Sequence, residues 1–195
     1  AERDGDDYVI NGSKVFISGA GDTDVLVVML RTGDPGPKGI SALLVPADTP
    51  GISYGKKEEK MGWNAQPTRM VSFDNVRVPV ENRLGEEGQG FSIAMEGLDG
   101  GRINIATCSV GTAQQALKEA AAYVQERRQF GNAIAEFQGT QFKLADMLTE
   151  LVAARQMIRL AASKLDDGDP QATTYCAMVL HGQPPSKSLN APNNT

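Results

Sequence analysis

Histidine is almost missing from this sequence of 195 residues: His181 is the only one. A Ser-His-Asp triad or a histidine-rich zinc centre is therefore a poor candidate. Cysteine is scarce too. Cys108 and Cys176 are far apart, no CxxC occurs, and both lie in apolar helical surroundings. They read as two buried thiols rather than a disulfide or a metal pair. Positive charge is also short. Lys+Arg number 19 against 24 Asp+Glu, the net charge is −5, and no basic run exceeds two residues. Nucleic-acid binding is not indicated. The longest apolar run, 25–30, falls far below the ~20 residues that span a membrane. The opening Ala1-Glu2-Arg3-Asp4-Gly5-Asp6-Asp7 has no apolar core, so it is no signal peptide. It also lacks an initiator methionine, and the sequence reads as the interior of something longer.

What is present divides into two halves. Tyr8-Val9-Ile10 and Lys14-Val15-Phe16-Ile17 flank Asn11-Gly12, a strong signal for a two-residue hairpin. The run 25–30 predicts a strand buried on both faces. Asp34-Pro35-Gly36 turns the chain toward a strand over 40–45, and Ile52-Ser53-Tyr54 and Met70-Val71-Ser72-Phe73 are further candidates. Turn-separated strands without a helical period predict an antiparallel sheet or small barrel and argue against a βαβ unit.

After Gly90 the period changes. A short helix is expected over about 91–98, then a long one over 103–125. In the latter, Ala113, Leu117, Ala120 and Val124 form an i, i+4, i+7, i+11 stripe. A third helix, 137–165, carries Leu144, Leu148, Leu151, Ile158, Ala162 and Leu165 on one face, with Arg155 snorkelling at its edge. Asp169 is a candidate cap and Pro170 the first position of a fourth helix. The expected class is α+β: an antiparallel β domain over 1–80, an up-and-down helical bundle over 81–178, and a disordered, atypical tail over 179–195.

Four motifs bear on chemistry. Phe16-Ile17-Ser18 sets an aromatic ring and a hydroxyl two apart, hence on one strand face. The pair suits a planar cofactor, or is simply a sheet aromatic beside a strand-end serine. Gly85-Glu86-Glu87-Gly88-Gln89-Gly90 is neither a P-loop nor a dinucleotide fingerprint. Its acidic residues would repel phosphate, and it reads as a tight entry loop for a closely packed helix. Asp99-Gly100-Gly101-Arg102 allows close approach of a ligand to a guanidinium. Glu126-Arg127-Arg128-Gln129-Phe130-Gly131 ends the long helix. There the arginines either complement the helix dipole or meet an anion. A continuous helix would hold Arg102 and Arg127 roughly 37 Å apart, too far for one small ligand. No catalytic base is apparent.

Taken together, in this order, these motifs resemble the acyl-CoA dehydrogenase family, from about Asp6 to Met178. Phe137 and Gln138, the latter seven residues after Gly131, extend the match. The segment Met61-Gly62-Trp63-Asn64-Ala65-Gln66-Pro67-Thr68-Arg69 and the double glycine before Arg102 look like the branch that oxidises isobutyryl-CoA. The resemblance implies an FAD enzyme of branched-chain amino acid catabolism that oxidises a short branched acyl-CoA to its 2,3-enoyl-CoA. It passes electrons to an electron-transferring flavoprotein. It implies a homo-oligomer, a tetramer in the parent, soluble in a bacterial cytoplasm or a mitochondrial matrix.

By the same resemblance, Phe16, Ile17 and Ser18 line the flavin ring. Arg127, Arg128 and Gln129, with Phe137 and Gln138, meet the flavin diphosphate of a neighbouring subunit. Asp99, Gly100, Gly101 and Arg102 form the acyl-CoA contact. An N-terminal helical domain, a Glu-Pro-Gly-Ser-Gly-Ser-type loop and a late Glu-Gly-Thr segment with the catalytic glutamate are expected of the family and do not occur here. After Met178 the pattern departs from the family, as a shifted reading frame would produce. The alternative is an inactive fragment that retains only a helical assembly surface.

Overall fold

The computed structural model describes residues 1–181. It forms two compact units, Ala1–Met95 and a second that begins at Glu96. The first unit holds nearly all the strands: β1 (Glu2–Asp4), β2 (Asp7–Ser18), β3 (Val25–Arg31), β4 (Ile40–Pro46), β5 (Ile52–Tyr54), β6 (Thr68–Pro79) and β7 (Arg83–Leu84). Two antiparallel sheets result, ordered β1-β2-β6-β5 and β3-β4-β7. Tyr8, Ile10 and Val71 from the first sheet share one core with Leu26, Leu43 and Val45 from the second. Period-two alternation puts these side chains inward, and their burial is the main stabilising term.

The hairpin expected at Asn11-Gly12 is not there. β2 runs straight through it and pairs along its length with β6. Between the pairs Ile10–Val76 and Gly12–Phe73, β6 carries the extra residue of a bulge. Asn75 takes that strain with φ 51°. Asn11 Oδ1 accepts from the Asn75 N–H at 2.8 Å, which locks the bulge. The turn signal was local, and pairing with a strand some sixty residues away outweighed it. The actual hairpin is one turn earlier, where Gly5 (φ 64°) and Asp6 join β1 to β2.

β3 is likewise not buried on both faces. Leu26, Val28 and Leu30 point inward, whereas Val25 and Val27 are exposed, because only the inner face of this sheet meets the shared core.

The glycine-rich loop behaves as expected. Gly88 N–H donates to Ser41 Oγ at 3.0 Å, and a Cβ added at Gly90 would fall on the Ser41 carbonyl. Glycine is therefore required where α1 starts against β4. Gly90→Ala is expected to cost about 1–3 kcal/mol in urea unfolding, as overpacking does.

Helix α1 spans Gly90–Glu126, 37 residues without interruption. The two helices expected over 91–98 and 103–125 are one. Gly97, Gly100 and Gly101 each weaken a helix by about 1 kcal/mol relative to alanine, and the flanking turns carry them. After α1 come a small hairpin, β8 (Arg128–Gln129) and β9 (Asn132–Ala133), then α2 (Gln138–Asp166) and α3 (Ala172–His181). Ala106 of α1, Ala161 of α2, and Cys176 and Val179 of α3 make the second core. Arg155 reaches Gln114 Oε1 at 2.6 Å, so the pairs 106–161 and 114–155 run α1 and α2 antiparallel.

Further expectations change in this unit. Cys108 is exposed, and only Cys176 is buried; both are free thiols. On α2, Leu151 and Ala161 are the buried residues, while Leu148 is exposed. Phe137 precedes α2 as its N-cap and is not its first residue. Val179, Leu180 and His181 belong to the last turn of α3 rather than to a disordered tail; the rest of that expectation, 182–195, lies outside the described residues. Helix α3 begins at Ala172, so Pro170 is not its first position, and Asp169 closes the turn before the helix rather than capping an N–H within it. Its carboxylate accepts from Lys164 Nζ at 2.6 Å and from the Gln171 N–H at 2.8 Å. Both bonds hold its pKa below the usual carboxylate range, Lys164 most.

Candidate functional site

Three groups of residues were expected to bind ligands, and they occupy three different settings. The first is the end of β2. Between the pairs Lys14–Val71 and Ile17–Arg69 the strand carries an extra residue, and Phe16 adopts φ 57°. Strict alternation fails at such a bulge, so two-apart spacing does not by itself align Phe16 with Ser18. The outcome still leaves the Phe16 ring 71% exposed and Ser18 exposed beside it. Among the described residues, the Ser18 hydroxyl has no hydrogen-bond partner.

Arg69, opposite Ile17, was missed as a residue of interest. Its Nε is buried without a partner, and its nearest acid, Asp22, is 3.9 Å from Nη2. Orphaned buried donors of this kind are rare, and each calls for an explanation. An open aromatic, a free hydroxyl and an orphaned donor fit the edge of a planar, oxygen-rich ring system such as flavin. Nearby, Lys14, Ile17, Leu26, Val28, Met29 and Phe73 line an apolar pocket of about 200 Å³.

The second group is on α1. Asp99 is 7% exposed and is the only buried carboxylate among the described residues. Arg102 Nη1 donates to its Oδ1, one helical turn on, and Thr173 Oγ1 of α3 donates to its Oδ2 at 2.6 Å. Burial pushes the Cys176 thiol pKa up, and the facing Asp99 charge adds to this. Asp99 is thus fully engaged inside the protein, whereas Arg102 retains 28% side-chain exposure. Gly100 and Gly101 have open space where a side chain would project. Thr173 could not be found from local sequence. It is 74 residues from Asp99 and carries no motif.

The third group is the connection from α1 to α2. The last turn of α1 has no basic residue, since the helix ends at Glu126. Arg127 closes it through its N–H to the Tyr123 carbonyl at 2.9 Å, and Arg128 lies in β8. The dipole-complementing placement inside the last turn is thereby corrected. Gly131 is not the helix stop either. Phe130 (φ 52°) and Gly131 (φ 86°) form the two-residue turn between β8 and β9, which suits a primed hairpin turn. The Ile134 N–H returns to the Arg127 carbonyl at 2.8 Å.

The hairpin therefore ties Arg127 to the chain entering α2. Phe137 provides no side-chain cap there. Uncapped N–H groups at a helix start, with Gln138 first in line and two exposed arginines on the same connection, fit an anionic group such as a diphosphate. Among the described residues, Arg127 and Arg128 make no ion pair.

No cluster of His, Cys, Asp and Glu among the described residues could hold a metal ion. No described helix is long and apolar enough to cross a membrane.

Residues 1–76 match the acyl-CoA dehydrogenase middle domain, and residues 88–180 match the acyl-CoA dehydrogenase C-terminal domain. The mitochondrial isobutyryl-CoA dehydrogenase of Dictyostelium discoideum is 60% identical over 180 residues, 92% of this chain and 43% of that protein. The Bos taurus counterpart is 54% identical over 92% of this chain and 43% of its own length. Butyryl-CoA dehydrogenase from Megasphaera elsdenii superposes with a TM-score of 0.89 at 43% identity, over 93% of this chain and 48% of that one. A chain in a structure titled as the electron transferring flavoprotein of Acidaminococcus fermentans gives 0.86 at 44%, over 91% and 47%. The chain thus spans less than half the length of these relatives. With an antiparallel β unit followed by packed helices, and both domain families matched in order, the chain belongs to the acyl-CoA dehydrogenase family.

Proposed function

We propose that this chain is part of an FAD-dependent dehydrogenase that oxidises a short branched acyl-CoA, isobutyryl-CoA first, to its 2,3-enoyl-CoA. The observation that carries the reading is the 60% and 54% identity to isobutyryl-CoA dehydrogenases over residues that include both arginine motifs. When bound, FAD supplies the hydride acceptor. Phe16 covers the ring, Ile17 packs beside it and Ser18 offers its hydroxyl. Arg127, Arg128 and Gln129, with Phe137 and Gln138, hold the diphosphate of a neighbouring subunit's flavin.

Asp99, Gly100, Gly101 and Arg102 meet the acyl-CoA. The division of labour follows from α1, whose unbroken length keeps Arg102 and Arg127 roughly 37 Å apart. An assembly of several copies, a tetramer on this reading, is required for the two sets to serve one flavin. Electrons leave to an electron-transferring flavoprotein. A bacterial cytoplasm or a mitochondrial matrix is the location that suits this chemistry.

The test is anaerobic addition of isobutyryl-CoA to the flavin-loaded protein that contains this chain. Bleaching of the flavin absorbance, faster than with straight-chain butyryl-CoA, is the expected result. No bleaching with any short acyl-CoA would reject the reading. Asp99, the only buried carboxylate among the described residues, has both oxygens occupied and is no candidate for the general base. A missing general base costs on the order of 10²–10⁴ in rate. The isolated 195-residue polypeptide is therefore expected to show no turnover.

A further inference from the structure

Arg102 is held by a single nitrogen. Nη1 donates to Asp99, and among the described residues no other hydrogen bond involves its guanidinium. Nε and Nη2, the side-on edge, stay open on a side chain that is 28% exposed. Two parallel N–H donors on that edge match the oxygens of a phosphate or carboxylate. Such a fork discriminates only if its plane is fixed, and one bond to a carboxylate does not fix it. The Asp99 carboxylate has a broad, roughly two-fold torsion of its own.

What stops that rotation is not on α1. Thr173, in the first turn of α3, donates to the other carboxylate oxygen at 2.6 Å. Its β-branched side chain is stiff at χ1. The helix that carries it is anchored by Cys176 and Val179 in the core shared with Ala106 and Ala161.

We propose that Thr173 is a positioning residue: acting through Asp99, it sets the plane in which Arg102 presents its open edge to an oxyanion of the acyl-CoA substrate. The inference rests on the reading of Arg102 as a substrate contact. It adds a residue from a different helix, and a requirement for a hydroxyl at that position.

The experiment compares Thr173→Val, Thr173→Ala and Thr173→Ser with Arg102→Lys in the flavin-loaded protein that contains this chain. Arg102→Lys keeps a cation beside Asp99 but loses the planar fork. Thr173→Val should raise KM for isobutyryl-CoA about tenfold, the weight of a hydrogen bond to a charged group. Its kcat should stay within about twofold, as for lost ground-state binding. Thr173→Ala should do the same and serves if valine disturbs packing. Thr173→Ser, which restores the donor, should return KM to near the parent value.

Calorimetric binding of coenzyme A should weaken by the same factor, with flavin content unchanged. If Thr173→Val and Thr173→Ala lower the melting temperature but leave KM and coenzyme A binding alone, Thr173 is only a tie between α1 and α3 and the proposal fails. That result, with KM raised in Arg102→Lys, would leave the substrate reading intact. An unchanged KM in Arg102→Lys would remove both.

Discussion

Arg102→Ala is expected to lower the unfolding free energy of the helical unit by about 3 kcal/mol. Removing one partner of a buried ion pair typically costs about 3–5 kcal/mol, because it leaves an uncompensated charge behind. Here the charge left behind is Asp99, 7% exposed, with Thr173 as its remaining partner. The lower end of the range applies, since Arg102 is itself 28% exposed and water can enter where its side chain was. Asp99→Asn should cost less, because it leaves its excess charge on the more exposed member of the pair. Urea unfolding followed by circular dichroism at 222 nm measures both. An Arg102→Ala midpoint within error of the parent would mean that Asp99 is not buried as described. At temperatures where the variant stays folded, its turnover of acyl-CoA should fall while its flavin stays bound.

Arg127→Ala is expected to strip flavin from the assembled protein. A charge-assisted contact to phosphate is worth about 1.5–3 kcal/mol, so the flavin dissociation constant should rise roughly ten- to a hundredfold. If, as proposed, the contact crosses between copies, subunit association should weaken with it. Arg127→Lys should rescue in part only, since an ammonium cannot reproduce the bidentate fork. The competing account makes Arg127 an exposed residue at the end of a helix, worth less than about 1 kcal/mol and silent toward flavin. The flavin-to-protein ratio after gel filtration separates the two accounts, and full occupancy in Arg127→Ala would refute the binding role.

Both residues stood out in the sequence, but their surroundings did not, and the reason is range. The Gly88 and Gly90 contacts were legible because a glycine-rich run before a helix has a local cause, and the entry loop packs on Ser41 as the motif suggested. Turn chemistry at Asn11-Gly12 was read locally as well. There the local preference lost to β6, and the strain of the mismatch was absorbed across the ladder at Asn75. The expected break between 98 and 103 falls at Gly100-Gly101, and Gly97 stands close before it. Their cost is a few kcal/mol at most, and the structure bears it within α1. That only one face of β3 meets the core depends on how the sheets pack, which no periodicity in 25–30 can encode. Thr173 lay beyond any motif, and Arg69, though it closes the 61–69 segment, carried no sign there of a role of its own. Each gains meaning only from a neighbour brought close by folding, Asp99 for one and the β2 bulge for the other.

Phe16 stands in a backbone conformation that an L residue with a side chain enters at a cost of about 1–2 kcal/mol. Its ring repays little of that within this unit, being 71% exposed. On the proposed reading of Phe16 as a flavin contact, fold and function therefore pull this position in opposite directions. Glycine or asparagine at 16 would relax the bulge and raise the melting temperature, yet leave no aromatic face for a cofactor. A library of variants sorted for thermal resistance alone would drift toward those residues and lose yellow colour as it did so. One sorted for flavin retention would keep an aromatic ring at 16 and accept the strain beneath it.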